Sequence, residues 1–387
     1  MTTSQSRELR EVTVFATGDP EAASTWSNIP YFFVATLRRR GIRVNTVSLA
    51  TSRVLKTATY DLILRFPLRA IMPSSDYSYF RTPVHDRDVA RRIRRAMAAY
   101  PDSQANFFLT YSFSAARLSP KPSALICDWP FEFRIRRMLR REPDFLERGV
   151  IRRERRAIES AALVVSLFAG VAKTLKQDYP KARIAYLGHV INGECERSVE
   201  ELVAGKEAER RLLFIGGPHY REGAQRLVAA WHVLRGRDGD LRLDVVGMRD
   251  ADVGGPAPGL TCHGYLDKSV AAERAVYSEL LGRASVIVNP TPRWAGFSSL
   301  VEAMYHCTPV VTTPYDEFVE SFGAELGFGA YCREDTIEAL VGAIARTLDA
   351  TGYPERCRAA RAAASDHTWD GFVDRLLPLL GFASPRA

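Results

Sequence analysis

Glu302 is the side chain whose setting points most directly at chemistry. It belongs to the run NPTPRWAGFSSLVEAMYHCTPVVTTP, residues 289–314, in which a β-branched strand ends at Asn289 and a loop follows. Ser298 or Ser299 suits the cap of a new helix, and Glu302 falls in that helix's first turns. Free amides and the helix dipole at such a terminus attract a diphosphate. A carboxylate just behind them can accept from two vicinal hydroxyls at once. An ordinary strand–loop–helix unit has the same spacing. The run LLFIGGPHYREGAQRLVAAW, residues 212–231, repeats the arrangement, with a Gly-rich turn and with Arg221 and Arg226 near the helix start. In ALICDWPFEF, residues 124–133, a strand ends at Cys127 and presents Asp128, which suits either stabilisation of developing positive charge or a turn or cap. Near the amino terminus, Gly18 follows the first strand, and Ser27 and Asn28 precede a helix beginning at about Ile29, where capping is their simplest role.

Other chemistries find little support. The Asp-x-Asp triplets at 86–88, 238–240 and 250–252 lie in charged, turn-like sequence and read as solvated turns, so no metal site is expected. Six cysteines lie far apart without a CxxC pair, which argues against structural zinc and a disulfide framework. GxGxxG is missing from the first strand–helix turn, which weakens a dehydrogenase. No cofactor is expected.

These groups need elements to hold them. At 387 residues the chain exceeds the usual size of a single core, and two domains are the natural expectation. Short β-branched runs alternate with helical patterns, as in parallel sheets wrapped by helices. In the first half the strands are expected near Val12–Ala16, Val44–Leu49, Leu62–Phe66, Phe107–Tyr111, Ala124–Cys127, Leu163–Ser166 and Ile184–Leu187. A polar stretch from Gly193 to Arg210 interrupts the rhythm. Strands resume near Leu212–Ile215, Leu243–Val246, Leu260–Cys262, Val286–Asn289 and Val310–Thr312. The expected domains are 1–192, a connection at 193–210, and 211–368. A last helix at 369–387 carries Trp369, Phe372, Leu376 and Leu380 on one stripe and crosses back to the first domain.

The segment 289–314 resembles the donor-binding signature of retaining GT-B glycosyltransferases, the large family of bacterial group 1 glycosyltransferases that also includes sucrose synthases. Matching positions are Gly296, Phe297, Leu300, Glu302, Ala303, Met304, Pro309, Val310 and Val311. The resemblance implies an α/β fold of GT-B architecture, two Rossmann-like domains facing a central cleft. It implies that Glu302 binds the donor ribose and that amides around Phe297, Ser298 and Ser299 hold the diphosphate. By the same likeness Tyr265 and Leu266 contact the nucleobase through their backbone, while Gly18, Ser27 and Asn28 face the cleft near donor phosphate or acceptor. Asp128 matches a position that touches the reacting sugar. Two departures stand out. The family's first Glu is absent, its place taken by Trp294 or Ala295, and the spacing to Glu302 is one residue short. Arg293 beside that gap suits the carboxylate of a uronic acid donor, or simply solvent. The family's diphosphate-clamping Arg and Lys are replaced by Gly217 and Glu222, leaving Arg221 as the favoured substitute. The implied reaction is metal-independent transfer from a nucleotide-sugar with retained configuration. A catalytically degenerate binding subunit and a sugar-nucleotide epimerase are the alternatives.

Charge is unevenly placed. Residues 1–195 carry 32 Lys and Arg against 18 Asp and Glu, whereas the remainder carries 21 against 27. Arg87, Arg91, Arg92, Arg94 and Arg95 surround Val89, Ile93 and Met97, and Arg134, Arg136, Arg137, Arg140 and Arg141 surround Phe131, Ile135 and Leu139. Both patterns fit amphipathic helices, either with a core-facing apolar stripe and solvated Arg or facing an anionic or lipid-linked acceptor or an anionic membrane surface. Nucleic acid is a weaker partner, because no recognition motif accompanies the charge. No run reaches the roughly 20 apolar residues of a membrane span. The polar amino terminus resembles no signal peptide, and the expected location is the cytoplasm, either free or peripheral on the inner membrane face.

Overall fold

The computed structural model describes residues 7–61, 65–193, 195–208, 210–291 and 297–383. It divides into two compact units, Met1–Gly188 with Trp369–Ala387, and His189–Thr368.

The first unit is built on six parallel strands, β1 (Glu11–Ala16), β2 (Arg43–Ser48), β3 (Ala105–Leu109), β4 (Ser123–Cys127), β5 (Leu163–Ser166) and β6 (Ile184–Tyr186), in the order β2-β1-β3-β4-β5-β6. Central strands covered on both faces lose polar alternation. Thus Val12, Thr13, Val14, Phe15 and Ala16 are all buried, and Phe15 stacks on Phe108 with ring centroids 4.4 Å apart. Three helices matter below: α1 (Ile29–Arg39), α2 (Pro83–Ala99) and α3 (Phe145–Ser160). Asp144 caps α3 by accepting from the Glu147 amide, and Glu147 reciprocates at the Asp144 amide.

The second unit repeats the plan with β7 (Arg211–Ile215), β8 (Arg242–Val246), β9 (Leu260–Gly264), β10 (Val286–Asn289), β11 (Val310–Thr312) and β12 (Gly329–Tyr331), ordered β9-β8-β7-β10-β11-β12. Its helices include α4 (Val199–Ala208), α5 (Arg221–Arg235), α6 (Ala271–Arg283), α7 (Ser298–Tyr305), α8 (Ile337–Leu348) and α9 (Tyr353–Ala364). Trp231 on α5, fully buried, packs among strand and α8 side chains and donates to the Leu241 carbonyl at 3.0 Å. The last helix, α10 (Trp369–Leu379), belongs to the first unit: Trp369 lies 5.6 Å from Phe33, and Arg40, 2% exposed, grips Asp370 and Asp374.

Several sequence expectations need correction. Of the strand expected at Leu62–Phe66, residues 62–64 lie outside the described residues, and Arg65 and Phe66 open a helix, Arg65–Ile71, whose Pro67 suits a first helical turn. The stretch 193–210 holds α4, whose Leu202, Val203 and Lys206 are buried in the second unit. The expected basic helix at 131–141 is a three-residue turn followed by a π-turn at Arg134–Met138, and its charges are largely paired: Arg134 with Asp76, Arg136 with Glu132 and Glu142, Arg141 with Glu147. The triplet 86–88 lies in the first turns of α2, with Asp86 on Arg153 and Asp88 on Arg91 and Arg92. Three-residue β12 escaped notice because a Gly-Ala-Tyr run carries no strand signature.

Candidate functional site

In the second unit the strand order reverses between β7 and β10, and open parallel sheets bind ligands beside such a reversal, at the carboxyl ends of the strands. The loops leaving those two strands lead into α5 and α7. Gly223, in the first turn of α5, has no room for a side chain: a Cβ there would lie 2.7 Å from Thr291 Oγ1 and 3.1 Å from the Thr291 backbone. Its absence lets α5 rest directly on the loop after β10.

Helix α7 begins differently from the expectation that Ser298 or Ser299 caps it. The cap position is Phe297, which is buried, and no side chain caps the helix. Ser298 is the first helical residue, and its hydroxyl lies 2.7 Å from His189 Nε2. His189 also touches the Phe297 ring, at 5.2 Å between centroids. The first amides of α7 thus keep their capacity for an anion. Ser299 is partly buried beside them.

Four residues on, Glu302 is 4% exposed and held from two sides. Lys268 Nζ donates to both carboxylate oxygens, at 2.9 and 2.8 Å, and the Tyr277 hydroxyl donates to Oε2 at 2.6 Å. The Lys268 ammonium stands 4.1 Å from the centre of the Tyr277 ring. Burial and the adjacent Glu302 charge raise the Tyr277 phenol well above its usual range, so it remains a donor. Neither Lys268 nor Tyr277 was singled out by sequence. Lys268 sits at the end of the loop after β9 and Tyr277 on α6, 34 and 25 residues from Glu302, and no spacing rule links them.

The other donor-side residues are dispersed. Tyr265 is 80% exposed and Leu266 half-buried on the loop after β9. Arg221 opens α5 and is half exposed, its guanidinium 2.5 Å from Asp252. Arg226, one turn later, donates to the Pro290 carbonyl at 3.0 Å and keeps a buried Nη2 without a partner among the described residues. The cation brought to the end of β10 is therefore Arg226, whose Nη1 also pairs with the exposed Asp335 at 2.5 Å. Arg293 and Gly296 lie outside the described residues.

In the first unit, Asp128 follows β4 and accepts from the Trp26 indole at 3.2 Å. Burial pushes its carboxyl up to about 6, and the indole hydrogen bond pulls the other way. Trp26 and Asn28 both adopt positive φ, 39° and 68°, and Asn28 closes the loop by donating to the Ala23 carbonyl at 2.5 Å. Positive φ at a bulky Trp is strained backbone, of the kind that concentrates at functional loops. Ser27 lies between them in the one-turn helix Trp26–Asn28. Gly18 sits against Thr25, which a Cβ would meet at 2.8 Å, so this Gly lets the loop fold back on itself. Asp128 is thus a carboxyl poised near neutrality, and the turn reading does not account for its indole partner.

Residues 209–350 match the family Glycosyl transferases group 1. A search by sequence among curated proteins returns no match. Among solved structures, sucrose-phosphate synthase from Thermosynechococcus elongatus is 16% identical, covering 96% of this chain and 98% of that one at a TM-score of 0.63. A glycosyltransferase from Rickettsia africae is 14% identical, covering 96% and 98% at 0.62. WaaG, a glycosyltransferase involved in lipopolysaccharide biosynthesis, is 16% identical, covering 92% and 95% at 0.58. At these identities the likeness is one of fold, the GT-B fold of two parallel-sheet α/β domains.

Proposed function

We propose that this chain, whose residues 209–350 match the family Glycosyl transferases group 1, moves a sugar from a nucleotide-sugar donor to an acceptor with retention of configuration. The observation that carries this reading is the pairing, at the strand-order reversal of the second unit, of an uncapped helix start with a buried carboxylate one turn behind it. The amides of α7 suit a diphosphate, and Glu302 suits the hydroxyls of the adjoining pentose. In the transfer, the acceptor oxygen bonds to the anomeric carbon as the bond from that carbon to the diphosphate oxygen breaks. The acceptor's proton passes to the departing diphosphate. The protein positions the partners and stabilises charge, and needs neither a metal nor a dedicated base. Asp128, ionised, lowers the energy of the positive charge that develops on the sugar ring.

The acceptor, lipid-linked or otherwise anionic or small, meets the basic first unit, which works at an anionic membrane surface. Two things support that placement. One is the excess of Lys and Arg over residues 1–195. The other is a set of exposed apolar side chains in the same unit, Val54, Phe66, Ile71 and Phe145, each more than two-thirds exposed. Among the described residues, no helix is long and apolar enough to cross a membrane.

Thermal stabilisation by UDP, GDP, ADP and TDP, each with EDTA and with magnesium, tests the site, because a ligand that binds only the folded state raises Tm by mass action. The expected result is a metal-independent rise with one nucleotide. A binding subunit without turnover is the second reading, favoured by Gly217 and Glu222 at the clamp positions. Release of free nucleoside diphosphate from the matching nucleotide-sugar eliminates it.

A further inference from the structure

The Glu302 carboxylate offers about four lone-pair positions. Tyr277 and the two Lys268 contacts occupy three of them, two on Oε2 and one on Oε1. Among the described residues one acceptor position therefore remains, on Oε1. The Lys268 ammonium has three N–H groups, two of which point at the carboxylate, and the third has no partner among the described residues. Its position is fixed from three directions: by the carboxylate, by the Tyr277 ring beneath it, and by its own backbone, whose carbonyl accepts from Arg274 at 2.7 Å. Side by side, then, stand one open acceptor and one open donor, on side chains only 5% and 20% exposed.

Two vicinal hydroxyls answer that pair, one donating to Glu302 Oε1 and its neighbour accepting from Lys268 Nζ. A pentose with a single hydroxyl leaves one partner unanswered in a poorly hydrated place, and sites built to hydrogen-bond a hydroxyl reject the analogue lacking it. We infer that Lys268 is a specificity-determining residue of the nucleoside site and that, with Glu302, it selects a ribonucleoside diphosphate donor over a 2′-deoxyribonucleoside one. This inference rests on the proposed pentose role of Glu302 and extends it by naming the donor class and the residue that reads it.

The test is calorimetric titration of the full chain with UDP against dUDP, GDP against dGDP and ADP against dADP, in the wild type, Lys268→Met, Lys268→Arg and Tyr277→Phe. The wild type is expected to bind one ribonucleotide at least about tenfold more tightly than its 2′-deoxy counterpart, the loss of one charge-assisted hydrogen bond. In Lys268→Met the ratio falls towards one, because the deoxy form loses nothing further, whereas Lys268→Arg restores part of it. Tyr277→Phe leaves the ammonium in place and keeps the preference even if Lys268→Met does not fold. A wild type that discriminates while Lys268→Met and Lys268→Arg discriminate equally well overturns the role of Lys268 and spares Glu302. If Lys268→Met does not fold, a Lys268→Arg protein whose ratio equals the wild type's while Tyr277→Phe abolishes it has the same meaning. A wild type that binds both forms equally overturns the pentose reading and the inference with it. No binding of any nucleotide sinks the donor site as a whole.

Discussion

Asp128 shows how a single residue can be legible in sequence while its chemistry is not. A carboxylate after a strand is easy to notice; that the Trp26 indole, 102 residues earlier, reaches it, and that burial moves its titration to about 6, follows from packing. If the ionised form stabilises charge on the sugar, the rate should fall as pH drops through about 6, and the limb should be missing from Asp128→Asn. The linkage sign provides an independent check. A carboxyl with a raised folded pKa contributes stability at pH below its unfolded value near 3.8, and that contribution is lost as pH rises through 6. Asp128→Asn should therefore gain stability relative to wild type between pH 4 and 7, measured as the difference in Tm. A rate limb that survives in Asp128→Asn would return this residue to a purely structural role.

At the scale of an element, the junction of α4, α6 and the end of α7 depends on one buried cation. Lys206, 1% exposed, donates to the carbonyls of Leu281, Gly282 and Ala284 and to the Thr308 hydroxyl, at 2.9 to 3.1 Å. It closes the carboxyl end of α6, where the helix dipole favours positive charge. Burial nevertheless pulls its ammonium down to about 7. Because the folded value is depressed, the stability this group allows is present above its unfolded value near 10.5 and declines as pH falls towards 7. The wild type should thus gain Tm relative to Lys206→Met between pH 7 and 10. At pH 7 that substitution should cost about 2 to 4 kcal/mol in denaturant unfolding, since the buried Gly282 and Ala284 carbonyls lose this donor while the Leu281 carbonyl keeps the Thr308 hydroxyl. The polar composition of the run around Lys206 gives it the look of a connection and conceals that one Lys points inward.

For the whole molecule, the basic excess of the first unit was visible by counting, but the elements expected to present it were not the right ones. The stretch 131–141 spends its guanidinium groups on internal carboxylates; Glu147, for instance, would rise on burial but is held at about 2 by Arg141 and by the amides of Asp144 and Asp76. The exposed apolar groups lie instead on the helices Arg53–Lys56 and Arg65–Ile71 and at the start of α3, with Arg53, Lys56 and Arg65 beside them. Sedimentation with phosphatidylglycerol vesicles, against phosphatidylcholine controls, should show anion-dependent binding that weakens with salt. The double substitution Phe66→Ser with Ile71→Ser should lower it severalfold without changing nucleotide-induced stabilisation. Equal sedimentation with both lipids, or with neither, would remove the membrane from the proposal.

The sequence by itself determined the two parallel-sheet units, nearly all their strands, the uneven charge and the position of Glu302. These are local matters of periodicity, strand ends and composition, which a linear pattern records directly. Tertiary structure decided what those residues touch. It gave Glu302 its Lys268 and Tyr277, tied Arg221 to Asp252, brought Arg226 to Pro290, and set the Asp128 carboxyl beside an indole. Partners tens of residues apart meet only when strands are ordered in a sheet, and burial, which sets their charge, exists only once the chain has folded.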